Sequence, residues 1–266
     1  MMFQRIVLVH SGREEAVALA GQAEKLLRRR GAEVIVPDAE TEIPTPDLIL
    51  TFGGDGTLLA GARQAMRQNA PLLGFNLGTV GFLTEEEPGR LEQALEALWQ
   101  GDFQMDDRSL LAVKSPFGTD LALNDAVITR GGFARLIRVD SFVNEELQDI
   151  YTADGVIVAT PTGSTGYSLS AGGPVVEPGM NCMILTPVCP HSLKHCPTVL
   201  SAQSVVRLRL QKQREQTAEL QIDGQNRGML KAGDQVIVQG TDQKIRLIRL
   251  HPYSFFHLMR EKLSEW

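Results

Sequence analysis

One carboxylate stands among three glycines in Gly53-Gly54-Asp55-Gly56-Thr57. An apolar run, Leu48-Ile49-Leu50-Thr51-Phe52, leads into it, and an apolar-periodic stretch, Leu58 to Met66, leads away. That pattern predicts a strand, a tight turn and a helix. Glycines allow positive φ and let a bulky anion reach the backbone. The helix start beyond them offers free N–H groups and the positive end of a dipole. A single acid in such a cradle suits phosphoryl transfer, whose catalysis is mostly positioning, charge neutralisation and a polarised acceptor hydroxyl. The same residues also read as ordinary turn chemistry. The rest of the chain must choose between the two.

A second segment, Thr160-Pro161-Thr162-Gly163-Ser164-Thr165-Gly166-Tyr167-Ser168-Leu169-Ser170-Ala171-Gly172-Gly173-Pro174, follows an apolar run at Gly155 to Ala159. Its small residues permit close backbone approach, and its hydroxyls can bind sugar or phosphate oxygens. Tyr167 reads either as a stacking platform or as a core anchor. A flexible Ser/Gly linker is the bland alternative, but a strand and Gly-Gly-Pro bound the segment tightly. Asp154 stands immediately before that strand. Asn124-Asp125 interrupts the apolar run Leu121 to Ile128, where unpaired polar groups are costly. The pair reads as a bulge or turn, or as contacts to a sugar or base edge.

These residues need elements to hold them. Ile6 to Val9 mark a first strand, residues 14–30 a helix that Gly31 stops, and Val34 to Val36 a second strand. Residues 37–46 read as a loop, Leu48 to Phe52 as a third strand and Leu58 to Gln68 as a helix. Leu72 to Phe75 is a fourth strand. Pro88 opens a helix with Leu91, Leu95, Leu98 and Trp99 on its inner face. Strand–helix alternation predicts a parallel sheet flanked by helices over residues 1–102. From Phe103 the pattern changes to short β-rich runs: 110–114, 121–129, 136–143, 155–159, 205–210, 219–222, 236–239 and 245–250. The expected second domain is therefore β-rich and spans 103–250. Residues 251–266 form a C-terminal helix with Phe255, Leu258, Met259 and Leu263 on one face, closing the second domain or packing back on the first. Ligands of open α/β sheets sit beyond the carboxyl ends of the strands, which places Asp55 well and leads to the expectation of a site between the domains.

Composition narrows the function classes. The 266 residues carry a formal net charge of −6, which argues against a general nucleic-acid binder. The clusters Arg28 to Arg30 and Lys212 to Arg214 read as solvated helix ends or loops. No run approaches the roughly 18 apolar residues of a membrane span, and no leader pattern opens the chain. A cytoplasmic protein is expected. Cys182, Cys189 and Cys196 do not suggest a disulfide framework. Cys189, His191, His195 and Cys196 superficially resemble a metal cluster, but the spacing fits no zinc pattern, and loop and core roles are expected.

Taken together, the motifs resemble the NAD kinases, the ATP- or polyphosphate-dependent enzymes that make NADP from NAD. The resemblance runs through Gly53 to Thr57, Asn76-Leu77-Gly78-Thr79-Val80-Gly81-Phe82-Leu83, Asn124-Asp125, Asp154-Gly155, Thr160 to Pro174, Ile222-Asp223-Gly224-Gln225 and Phe255-Phe256 to Leu263. The first motif is shared with lipid and phosphofructo-kinase relatives, whereas the Thr160 to Pro174 segment is far more specific. The resemblance implies that Asp55 accepts the proton of the adenosine 2′-hydroxyl of NAD, with Gly53, Gly54, Gly56 and Thr57 forming the phosphate loop. It implies substrate contacts from Asn124, Asp125, Arg135, Thr152, Asp154, Thr165, Gly166, Tyr167, Ser168, Leu169, Ser170 and Gln225. It also implies Mg²⁺ on the donor phosphates of ATP, no metal ligands of the protein's own, and a homodimer or homotetramer. Three positions depart from the family: Thr152 where Arg is frequent, Gly166 where Ala is frequent, and Cys196 where an Arg usually precedes the proline. His191 reads as a structural loop histidine. Two other readings stand beside this one: a related kinase acting on a lipid alcohol, which the polar 160–170 segment disfavours, and a nucleotide sensor without turnover, which the intact Asp55 disfavours.

Overall fold

The computed structural model of the chain describes residues 3–37, 44–78, 81–131, 135–192, 194–212, 217–252 and 254–263. Parts of four expected features lie outside them: the middle of the 37–46 loop, Thr79-Val80, Gln213 and Arg214, and the last three residues of the C-terminal helix. The side chain of Leu263 lies outside the described ones as well. The chain forms two compact units, residues 1–107 with 245–266, and residues 108–244.

The first unit alternates as its hydrophobic periods predict. It runs β1 (Arg5–His10), α1 (Glu14–Arg29), β2 (Glu33–Ile35), β3 (Leu48–Gly53), α2 (Asp55–Gln68), β4 (Leu72–Asn76), a 3₁₀ turn at Pro88–Arg90 and α3 (Leu91–Gln100). The strands lie side by side as β2-β1-β3-β4, every pair parallel. Strand β3 is buried along its whole length, which explains why it is apolar without alternation. The helices end as the residue types predict: Gly31 (φ 83°), Asn69 (φ 53°) and Gly101 (φ 76°) all take left-handed conformations at helix ends. Ile6, Leu8, Leu27, Leu50, Phe52, Phe75, Leu95 and Leu98 belong to the core of this unit.

The remaining elements are β5 (Gln104–Ser115), β6 (Gly118–Ala122), β7 (Asp125–Thr129), β8 (Ile137–Val143), β9 (Glu146–Ala153), β10 (Gly155–Ala159), α4 (Tyr167–Ser170), β11 (Cys182–Val188), β12 (Thr198–Ser201), β13 (Val205–Leu210), β14 (Thr217–Ile222), β15 (Gln225–Lys231), β16 (Gln235–Arg249) and α5 (Phe255–Leu263). In the second unit, β12-β11-β10-β7-β14-β15 form one sheet of antiparallel neighbours. There β13 pairs with β8 on one side and with Gln235 to Gln239 of β16 on the other, and β8 pairs with β9. The period of two sorts side chains strictly. Ala126, Ile128, Val156, Val158, Met183 and Leu185 enter the main core with Val139, Leu208 and Val238. Their neighbours Val127, Ile157 and Ile184 point to the opposite face, into a smaller cluster with Val176.

The expected architecture, a parallel α/β unit followed by a β-rich one, is what the structure has. Several details differ. Helix α2 begins at Asp55, not Leu58, because the glycine-rich stretch itself forms the first helical turn. The run 121–129 is two strands, β6 and β7, broken at Leu123-Asn124. The runs 236–239 and 245–250 are one continuous strand, β16. Strands β9, β11, β12 and β15 are absent from the sequence reading. Strand β11 was hidden because it is buried on both faces and contains Pro187, so neither alternation nor propensity marks it. The boundaries of the two compact units fall inside β5 and β16, after Asp107 and before Ile245. A continuous strand gives no local signal of such a change.

Candidate functional site

In the first unit an open cleft of about 650 Å³ lies at the carboxyl ends of β1 and β3. With the strand order β2-β1-β3-β4, the chain winds one way from β1 and the other way from β3. This is the crevice where open α/β sheets bind ligands. Two helices, α1 and α2, start beside it, which brings the positive ends of their dipoles there, with Glu14, Glu15 and Asp55 in the same first turns. Residues 53–57 line one wall; His10, Ser11 and Arg13, from the turn between β1 and α1, line another. The sequence reading missed these last three. A polar turn after the first strand was the available signal.

Asp55 occupies the first turn of α2 and lines the cleft. Its carboxylate is held by the loop that follows β4. Oδ2 accepts from the Phe82 N–H at 2.8 Å. Oδ1 accepts from the N–H groups of Leu83 and Thr84, each at 3.2 Å, and from Thr84 Oγ1 at 3.3 Å. The loop is pinned where it leaves and rejoins the sheet, by Leu77 N–H to Gly53 O (3.2 Å) and Asn76 N–H to Glu86 O (2.7 Å). Such bonds fix the carboxylate in direction, and among the described residues they give Oδ2 one protein donor against three on Oδ1.

The glycines of this region fall into two groups. A Cβ on Gly81 would lie 1.9 Å from Asp55 Oδ1, and one on Gly53 would lie 2.2 Å from Thr57 Oγ1. Those two are required by packing. A Cβ on Gly54, Gly56 or Gly78 would meet nothing within 4 Å. The fold does not need glycine there, and the open space faces the cleft. Close approach of a ligand to the backbone explains the residue type.

In the second unit the Asn124-Asp125 break has a clear cause. The Asp223 carboxylate accepts three successive N–H groups, Leu123 at 2.9 Å, Asn124 at 2.7 Å and Asp125 at 3.1 Å. Asp223 itself sits at φ 48° in the Asp223-Gly224 turn of the β14–β15 hairpin. The Asp125 side chain is buried beside it. Burial, and then the Asp223 charge, push the Asp125 carboxyl up to about 7. In the sequence Asp223 belongs to the Ile222 to Gln225 motif, and no local pattern marks this role. Its partners lie about a hundred residues upstream.

The Thr160 to Pro174 segment forms a 3₁₀ turn, Thr162–Thr165, and then α4. Several of its hydroxyls are hydrogen-bonded within the protein. Thr160 Oγ1 donates to Leu123 O at 2.5 Å and accepts from Gly163 N–H at 3.0 Å. Ser164 Oγ bonds both polar groups of the Val176 backbone. Ser168 Oγ pairs with Thr186 Oγ1 at 2.9 Å, and buried Arg108 donates to Thr162 Oγ1 at 3.4 Å. Buried hydroxyls must be paired internally, and these are. The segment is thereby locked against Asn124: Thr160 N–H donates to Asn124 O at 2.8 Å, and a Cβ on Gly163 would fall 2.1 Å from that oxygen. Thr165, Gly166 and Leu169 are half-buried, and Tyr167 and Ser170 are exposed.

Tyr167 shares its surroundings with the predicted residues. Burial raises its phenol pKa, and the ionisable groups of Cys189, Asp154 and Asp125 raise it further. Asp154 is ion-paired to Arg130 at 2.8 Å. Asn124, Asp125, Asp154 and Tyr167 are therefore gathered on one side of this unit. Thr152 contributes its carbonyl, which accepts the His191 N–H at 2.8 Å. Arg135 and Gln225 are exposed, Gln225 in the hairpin that carries Asp223.

His195 is buried, with Nδ1 at 2.5 Å from Asp149 Oδ2 and Tyr151 edge-on to its ring. It is a packed structural histidine, and Cys182, Cys189 and Cys196 are free thiols. Among the described residues, no group of three or more His, Cys, Asp or Glu side chains is arranged to hold a metal ion.

Known proteins match both units. The model of the ATP-NAD kinase N-terminal domain matches residues 42–103, and that of the ATP-NAD kinase C-terminal domain matches 123–250. The NAD kinase of Syntrophotalea carbinolica is 41% identical over 269 residues, covering 94% of each chain. That of Desulforamulus reducens is 39% identical over 265 residues, covering 96% of this chain and 92% of the relative. Among solved structures, yeast NADH kinase complexed with NADH superposes with a TM-score of 0.89 at 26% identity, covering 99% of this chain and 88% of that one. An NAD kinase from Archaeoglobus fulgidus in complex with ATP superposes with a TM-score of 0.80 at 27% identity, covering 99% and 100%. Matched along its length in sequence and in fold, this chain belongs to the NAD kinase family.

Proposed function

We propose that the chain transfers the γ-phosphoryl group of ATP to the 2′-hydroxyl of the adenosine ribose of NAD, giving NADP and ADP, with Asp55 as the proton acceptor. The observation that carries this is the Asp55 carboxylate, aimed into a cleft walled by two helix N-termini and by glycines whose open side faces the cleft. Oδ2, with its single protein donor, is the oxygen with room for the incoming hydroxyl. Asp55 orients that hydroxyl toward the γ-phosphorus. As the new O–P bond forms, the bond to the bridging oxygen of the leaving ADP breaks. The proton passes late to Asp55, which suits a weak base and a loose transition state.

Gly54 and Gly56 let the donor phosphates lie against backbone N–H groups, and Arg13 adds a cation at the rim. In this reading Mg²⁺ would arrive on ATP as part of the substrate and would neutralise phosphate charge there. In the second unit, Asn124, Asp125, Asp154, Thr165, Gly166, Tyr167 and Ser170 contact NAD in this reading, with Thr152, Arg135, Leu169 and Gln225 at its margins. Asp125, with its carboxyl near 7, can either donate or accept a hydrogen bond at neutral pH. Ser168 supports the segment through Thr186. The ligands of the two solved relatives, ATP and NADH, support the substrate pair. The proposal also has the protein in the cytoplasm as a homo-oligomer. Free thiols support the first, and exposed Leu147, Val199 and Met229 support the second.

The test is NADP formation from NAD, ATP and Mg²⁺, read through an NADP-specific dehydrogenase, with D55N alongside. Turnover in the natural protein and severe loss in D55N are expected. Folded protein that binds NAD yet makes no NADP, with polyphosphate also tried as donor, would refute the kinase reading.

A further inference from the structure

Arg249, at the end of β16, is almost wholly buried, with its side chain 4% exposed. Within the first unit the acceptors of its guanidinium include Asp106, Leu83 and Glu85. Nε donates to Asp106 Oδ2 at 3.0 Å, and Nη1 donates to Leu83 O at 3.2 Å and to Glu85 Oε2 at 3.3 Å. Glu85 is itself oriented by the His251 N–H, 2.9 Å from its Oε1. The Leu83 carbonyl is the informative partner. It belongs to the same peptide group as the Thr84 N–H, which donates to Asp55 Oδ1. A single peptide plane thus has a buried cation on its oxygen and the Asp55 carboxylate on its hydrogen.

We infer that Arg249 is a positioning residue for Asp55, acting through the Leu83–Thr84 peptide. Planarity of the peptide makes the link stiff: fixing the carbonyl fixes the direction of the N–H. A cation on the oxygen also polarises the amide, and hydrogen bonds in series strengthen one another in a low dielectric. The tolerance is narrow, since Gly81 approaches Asp55 so closely that a Cβ would fall 1.9 Å from Oδ1. A slack 82–84 loop would let the carboxylate turn and would misdirect Oδ2. A purely packing role would be served by an apolar side chain, without the cost of burying a charge that needs Asp106 and Glu85 to balance it.

This inference rests on Asp55 facing the acceptor hydroxyl, so both are tested in one cycle. D55N, R249M, R249K and the double variant R249M/D55N are assayed for kcat and for KM of NAD and ATP, with [³²P]ATP for low rates and thermal melts to verify folding. Loss of a hydrogen bond to a charged group predicts a kcat about 10- to 100-fold lower in R249M. Both KM values should move less than about threefold, because the ground-state contacts remain. R249K, which keeps the charge, should recover part of the rate. In the D55N background R249M should add less than about a twofold loss, since residues acting as one unit are not additive. Equal losses from R249M with and without Asp55, or raised KM at unchanged kcat, would overturn the relay alone. An unchanged kcat in D55N would overturn the reading of Asp55 and the relay with it. If R249M fails to fold, R249K/D55N closes the same cycle and decides by the same criterion.

Discussion

Asp55 and Asp223 are held by the same device and serve different ends. Each carboxylate accepts three successive backbone N–H groups, from residues 82–84 in one unit and 123–125 in the other. Asp223 is 7% exposed, and its carboxylate organises the β6–β7 break. Asp55 is partly exposed, lies at a helix N-terminus, and has glycines with open space on its cleft side. Local hydrogen bonding therefore does not separate the carboxylate proposed as proton acceptor from a structural one. What distinguishes Asp55 is its place on the lining of a cleft.

The comparison can be broken most decisively at its two acids. D55N should reduce kcat by about 100- to 10,000-fold, the range of a general base, with a melting temperature close to that of the natural protein. D223A should do the reverse: it orphans three N–H groups, each a loss of about 1 kcal/mol or more, so urea melts should show destabilisation of about 3 kcal/mol. A D223A protein that melts normally would mean that the 123–125 backbone does not depend on this anion.

Asp125 sharpens the contrast through pH. Its carboxyl is raised from 3.8 to about 7 in the folded chain, so the folded state holds the proton more tightly than the unfolded one. The cost of ionising it is absent below about pH 4 and fully present above about pH 7. Stability should fall as pH rises through that window, by at most about 4 kcal/mol. Denaturant melts at pH 5 and pH 8 should show this slope in the natural protein and a flatter one in D125N. An identical slope in both would assign the titration elsewhere. The smallest effect is the most diagnostic of the cleft. In G56A the new methyl meets open space, and alanine favours the helix by up to about 1 kcal/mol. The variant should be as stable as its parent or slightly more so, while KM for ATP rises. Unchanged ATP kinetics would remove the phosphates from that side of the cradle.

Much of the first unit was legible because its helices and strands carry clean periods, and Gly31 and Gly101 stop helices where left-handed residues are needed. The Gly53 to Thr57 loop was equally legible, since strand, glycines and helix are contiguous. Strand β11 was not, because burial on both faces erases alternation. The partners of the Thr160, Ser164 and Ser168 hydroxyls were not legible: composition reports hydrogen-bonding capacity, while the fold directs it to Leu123, Val176 and Thr186. His10, Ser11 and Arg13 escaped notice since nothing within their own segment ties them to Asp55.

By itself, the sequence determined the α/β and β-rich character of the two parts, the acid in its glycine turn and the family resemblance. These depend on residues close together in the chain, where periodicity and turn chemistry act. Tertiary structure alone decided which carboxylate faces a cleft and which is a buried clamp, and it alone joined Arg249 to the loop around Asp55. Those outcomes depend on pairs separated by 27 to 166 residues, and no local propensity encodes which distant N–H will find which oxygen.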